Sequence, residues 1–193
     1  VTRKRRAPSA RPAVIDACGL IDVLASGQAE AILRATGHAW HLPASVTAEV
    51  RYVRQHDPDR PGGYVNVAAD LTALVRSGLL TACQPDDPEE QARYVHYATL
   101  FRSDGEAMCL ALGESRGWIV ATDDRGAIKV ARKAGLEVIS CPELVKVWAN
   151  ATRPDSTRLV QVLTEIQTLA QFRPKPSMPE YEWWVDQRFT NGP

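Results

Sequence analysis

Gly117-Trp118-Ile119-Val120-Ala121-Thr122-Asp123-Asp124 is an apolar run closed on one side by glycine and on the other by two carboxylates. Such a short run between turn-forming residues suits a buried strand. Upstream, Glu106 to Gly117 reads as a helix, and Ser103-Asp104-Gly105 breaks it from an earlier helix over Pro88 to Phe101. Downstream, a basic helix from Ala127 to Ala134 leads through Gly135 into Leu136-Glu137-Val138-Ile139, another strand. Short apolar strands alternating with helices predict a parallel sheet covered by helices.

The N-terminal half follows the same pattern. Pro12-Ala13-Val14-Ile15 opens an apolar strand that ends at Asp16, and helical patterning through Leu20, Ile21 and Leu24, then Ala31, Ile32 and Leu33, stops at Gly37. Ala39 to Leu42 and Leu79 to Cys83 read as further strands. Ser45 is placed to cap a helix through Val46, Glu49, Val50 and Val53. Gln55 to Tyr64 contains Asp-Pro, Arg-Pro and Gly-Gly, which predicts a loop, and Asn66 to Gly78 reads as a helix. Beyond Pro154, the apolar residues Leu159, Val162, Leu163, Ile166 and Leu169 share one helix face. The tail holds Pro174, Pro176 and Pro179 and then Trp183-Trp184, which predicts an extended arm packed on its own domain or on a partner. The expected fold is α/β, a three-layer α/β/α domain with a central parallel sheet over residues 12–150, followed by a C-terminal amphipathic helix and arm over 151–193. Residues 1–11 are basic and expected to be disordered.

A chain of 193 residues fits one domain with an extension, and its 45% hydrophobic content is enough for a core. Lys+Arg and Asp+Glu both number 23, so the charge that matters is local: Arg3-Lys4-Arg5-Arg6 at one end, and Asp86, Asp87, Glu89 and Glu90 mid-chain. Cys18, Cys83, Cys109 and Cys141 form no close pair, which argues against a zinc or disulfide framework. No apolar run reaches the roughly 20 residues of a membrane helix, and the basic start lacks an apolar signal segment, so a cytoplasmic protein is expected. His38, His41, His56 and His96 have no metal-ligand spacing, and Gly62-Gly63 is not followed by the Lys-Ser/Thr of a phosphate loop.

The acids are better placed. Ligands of open parallel sheets bind beyond the carboxyl ends of the strands, and Asp16 and Asp124 both stand at such ends. Glu49 and Glu106 are read as lying near helix starts. A helix beginning at Glu106 and running antiparallel to the following strand starts where that strand finishes, so Glu106 can meet Asp124. Grouped carboxylates repel one another, and a divalent cation removes that penalty. Oxygen ligands without His or Cys favour Mg²⁺ or Mn²⁺, and phosphodiester hydrolysis uses such a site. Asp104 and Asp123 are alternative ligands. Thr122 is expected to orient the loop, while Arg51, Arg54, Arg125 and Lys129 are candidates to hold a phosphate backbone, or else solvated helix faces. Asp22 is read as structural or solvated.

Four stretches together resemble the PIN-domain nucleases, above all the VapC-type toxin ribonucleases. These are Val14-Ile15-Asp16-Ala17-Cys18-Gly19-Leu20-Ile21, Ser45-Val46-Thr47-Ala48-Glu49-Val50, Asp104-Gly105-Glu106-Ala107 through Leu112, and Gly117 through Asp124. The resemblance spans residues 13 to about 140 and rests on their order and spacing. It implies a magnesium- or manganese-dependent endoribonuclease with Asp16, Glu49, Glu106 and Asp124 as metal ligands. It also implies a toxin, commonly a homodimer, silenced by a small antitoxin. Cys18 departs from the Ser, Thr or Asn common at that place, and Glu106 from the commoner Asp. One alternative is a noncatalytic scaffold that binds RNA or protein, which an incomplete acidic set would mark. The other, an Asp-dependent phosphatase, wants an Asp where Cys18 stands.

Overall fold

The computed structural model describes residues 11–189, so the Arg3–Arg6 run lies outside them. Of the segment expected to be disordered only Arg11 is described, and its guanidinium meets the Glu137 carboxylate at 3.1 and 2.6 Å. The elements run β1 (Pro12–Ile15), α1 (Ala17–Ala25), α2 (Ala29–Ala35), β2 (Ala39–Pro43), α3 (Ala44–Glu49), β3 (Tyr52–His56), β4 (Tyr64–Ala68), α4 (Thr72–Arg76) and β5 (Leu80–Cys83). After these come α5 (Pro88–Ala98), α6 (Asp104–Arg116), β6 (Ile119–Ala121), α7 (Arg125–Lys133), β7 (Val138–Ile139), α8 (Cys141–Thr152), α9 (Ser156–Leu169) and α10 (Tyr181–Phe189).

The main sheet has the order β5-β2-β1-β6-β7, and every neighbouring pair is parallel. Helices pack on it: α6 lies against β1, β2 and β6 and carries α5 and α7, while α1, α2, α8 and α9 pack among themselves. The arrangement is consistent with three α/β/α layers. Ala13, Val14, Ile15, Ile119, Val120 and Ala121 are all buried, which is why β1 and β6 are unbroken apolar runs without alternation. No helix among the described residues is long and apolar enough to cross a membrane.

Several local expectations fail where tertiary contacts outweigh local pattern. The helix expected through Val53 ends at Glu49, and Tyr52–His56 pairs antiparallel with Tyr64–Ala68 in a two-stranded hairpin. The loop expected over Gln55–Tyr64 shrinks to the turn between those strands, and the helix expected from Asn66 is a strand first and a helix only from Thr72. Val65 and Val67 alternate with exposed neighbours, and β3 packs on α1 and α9, so strand period wins there over helix period. Ser45 does not cap α3: Pro43 is the cap residue, and the buried Ser45 hydroxyl has no hydrogen-bond partner among the described residues. Glu49 is the last residue of its helix, not one near its start. The segment 141–152, for which no element was expected, forms α8, started by a capping box between Ser140 and Glu143. The tail is not extended throughout, since Tyr181–Phe189 forms α10 on α9 with Trp184 fully buried and Phe172 edge-on to it at 5.8 Å.

Candidate active site

In the order β5-β2-β1-β6-β7 the chain builds outward from β1 to one side and then crosses to the other, so the strand order reverses between β1 and β6. A crevice opens at such a switch point, beyond the strands' carboxyl ends. Ile15 is in register with Ala121, and the Asp16 N–H donates to the Ala121 carbonyl at 3.0 Å. This register sets Asp16 beside the Thr122-Asp123-Asp124 loop.

Asp16 is buried and caps α1, accepting the Gly19 N–H at 2.8 Å. Its carboxylate also takes the Cys18 thiol, with Sγ 3.2 and 3.0 Å from its two oxygens, and the Thr122 hydroxyl. Burial raises the Asp16 carboxyl above its ordinary value, the hydrogen bonds from Thr122, Cys18 and Gly19 oppose that, and the charge of Asp124 adds to it. Burial and the neighbouring Asp16 charge also push the Cys18 thiol far up. At neutral pH it is therefore a neutral donor to Asp16.

Asp124 caps α7 through the Ala127 N–H at 2.8 Å, and its own N–H reaches the Thr122 hydroxyl at 3.2 Å. Thr122 thus touches both strand-end acids. Glu49 comes from α3, which packs on α6. Its carboxylate accepts the Gly105 N–H at 2.8 Å and the Ser103 hydroxyl at 3.0 Å, at the positive end of α6. A Cβ on Gly105 would stand 2.8 Å from Glu49 Oε2, so the close approach depends on glycine there. Glu106, one residue further on, is pushed up to about 7, first by burial and then by the charges of Asp124, Asp16 and Glu49. Four acids from four separate segments of the chain therefore share one electrostatic neighbourhood.

The alternatives Asp104 and Asp123 are placed differently. Asp104 is exposed and accepts the Tyr94 hydroxyl at 3.0 Å. Asp123 turns to the start of α8, where both its oxygens accept the Cys141 N–H at 3.0 and 3.1 Å. It also meets Asp22, a buried carboxyl pushed up to about 9 by burial and by the charges of Asp123 and Asp16. Asp123 itself is pushed up to about 7 by burial against the opposing Cys141 N–H. The two carboxyls titrate as a coupled pair, with Asp22 the one raised further. Sequence reading assigned Asp22 no partner. Its place on the α1 face of the buried Gly19 and Ala25, three residues to either side, was the one signal that it points inward.

Among the basic candidates, Arg125 and Lys129 are exposed on α7. The exposed Arg51 donates to the Ala48 carbonyl at 3.0 Å, and Arg54 lies over the Tyr64 ring at 4.4 Å. Those contacts tie both arginines to the segment from α3 to the hairpin. In comparisons with known proteins, no family model matches the chain and no curated protein matches it.

Proposed function

We propose that this chain is a PIN-type endoribonuclease that hydrolyses RNA phosphodiester bonds with Mg²⁺ or Mn²⁺. The observation that carries the reading is that the β1–β6 pairing and the docking of α3 on α6 bring Asp16, Glu49, Glu106 and Asp124 from four segments to the switch point, where burial first and then the charges of the other three raise Glu106. The donor set fits a hard divalent cation: every member is a carboxylate, burial and mutual repulsion disfavour the fully ionised cluster, and a cation offsets both. Asp16, Glu49, Glu106 and Asp124 would hold it, directly or through water. Bound there, such an ion lowers the pKa of a water and offsets charge on the leaving oxygen. Thr122 and Cys18 fix the Asp16 carboxylate, and Ser103 with the Gly105 N–H fixes Glu49. Arg125 and Lys129 lie next along the chain from Asp124 and offer charge to the substrate backbone. The resemblance of the four motifs to VapC-type toxins extends the proposal to a homodimeric toxin held by a small antitoxin.

The test is incubation of mixed RNAs with Mg²⁺ or Mn²⁺, with EDTA, and with the Asp16→Asn variant. Cleavage by wild type alone, leaving 5′-phosphate and 3′-hydroxyl ends, is expected. Ends carrying 2′,3′-cyclic phosphate that persist in EDTA would overturn the reading, because they come from 2′-hydroxyl attack without metal.

A further inference from the structure

Helix α7 starts from Asp124 and carries Arg125, Lys129, Arg132 and Lys133, all exposed. At 3.6 residues per turn these four fall within about 100° of arc, along roughly 12 Å of helix. None of them makes an ion pair with a described residue. The cations of α5 and α6 behave otherwise. Arg93 is held by Glu89 at 2.8 Å and Glu114 at 2.9 Å, and Arg116 by Glu90 and Asp86.

Beside this stripe lies a groove of about 980 Å³ between α5 and α7. Its lining includes Leu100, Phe101 and Val130, with Lys129 and Lys133 along the α7 side, while the lining carboxylates Glu89 and Glu114 are both paired with Arg93. Leu100 is 53% exposed, although it is a large apolar side chain. One end of the groove, at Gly126 and Phe101, adjoins Asp124: a Cβ on Gly126 would lie 3.0 Å from Asp124 Oδ1 and 3.6 Å from Phe101 Cε1. Its volume is at the upper end of the roughly 300–1,000 Å³ typical of small-ligand pockets, enough for more than one planar ring. Unpaired cations beside an apolar channel are what a single strand uses, phosphates on the lysines and bases against the aromatic and apolar wall.

We propose that the α5–α7 groove binds the single-stranded RNA flanking the scissile phosphate, with Lys129 and Lys133 on its phosphates and Leu100 and Phe101 against its bases. This assignment rests on the ribonuclease reading and adds the strand's path and its single-stranded character. The test is fluorescence anisotropy of a short labelled single-stranded RNA, titrated over a salt series on an Asp16→Asn background so that the strand survives. Lys129→Gln with Lys133→Gln should weaken binding at least about tenfold and lower the salt slope by about 1.4, two contacts at roughly 0.7 each. Leu100→Ala with Phe101→Leu should weaken binding by about tenfold at an unchanged salt slope, because stacking carries no counterions. Thermal melts establish that each variant is folded. Unchanged binding in both double variants, while the wild type cleaves RNA, overturns the groove and leaves the ribonuclease reading standing. A wild type that neither binds nor cleaves RNA overturns both. A dimer dissolved by Leu100→Ala with Phe101→Leu, with RNA binding untouched, assigns the groove to a second copy of the chain and also overturns the proposal.

Discussion

The Glu49 carboxylate accepts the backbone N–H of Gly105 at 2.8 Å, which ties the last residue of α3 to the first turn of the helix that bears Glu106. Gly105→Ala places a methyl group against that carboxylate. Glu49 is flexible enough to swing away, so the fold should survive. The roughly 1 kcal/mol gained in helix propensity offsets a hydrogen bond worth about 1 kcal/mol. The expected outcome is a melting temperature within a few degrees of wild type and a Mn²⁺-induced stabilisation that is largely lost, read by thermal denaturation with and without the ion.

Asp16 and Asp124 each do two things: they cap α1 and α7, and they crowd one another. Asn keeps a cap nearly as well as Asp, and Ala loses about 1 kcal/mol. Asp124→Asn should therefore abolish cleavage with equal or slightly higher stability, since repulsion is relieved. Asp124→Ala should abolish cleavage and also lower stability. Denaturant unfolding of the two variants separates the roles, and equal large losses in both would mark Asp124 as structural only.

Asp22 retains its proton in the folded state up to about pH 9, whereas an unfolded aspartate loses it near 4. Between those values the folded chain binds the extra proton, so stability falls as pH rises, by up to roughly 1.4 kcal/mol per pH unit for one proton. Asp22→Asn keeps a donor toward Asp123 without needing that proton. The variant should melt above wild type at pH 8, with a flatter profile between pH 5 and 9. An unchanged slope would place the proton elsewhere.

Trp184 is fully buried, where α10 packs on α9 beside Phe172. Trp184→Ala should cost about 3–5 kcal/mol, as large-to-small changes in a core do. Removal of the chain after Thr152 should expose the apolar face of α9's former bed on α1 and β3 and cause aggregation. A soluble truncation as stable as the full chain would show that the C-terminal helices ride on the domain without supporting it.

The five strands of the main sheet and most of the helices between them were legible in the sequence. A strand buried on both faces must be apolar throughout, and that needs no knowledge of its neighbours. Asp16, Thr122 and Asp124 were legible for the same reason, standing where apolar runs break. The β3–β4 hairpin was not, because Val65 and Val67 alternate over too few residues to outweigh a helical reading of Asn66–Gly78. Nor was α10, whose apolar residues make sense only against α9. Sequence spacing could bring Glu106 toward Asp124, since one helix and one strand separate them. Only tertiary structure paired β1 with β6 and docked α3 on α6. Strand order and helix docking are decided by contacts distant along the chain, and these set Glu49 on Gly105 and joined Asp22 to Asp123.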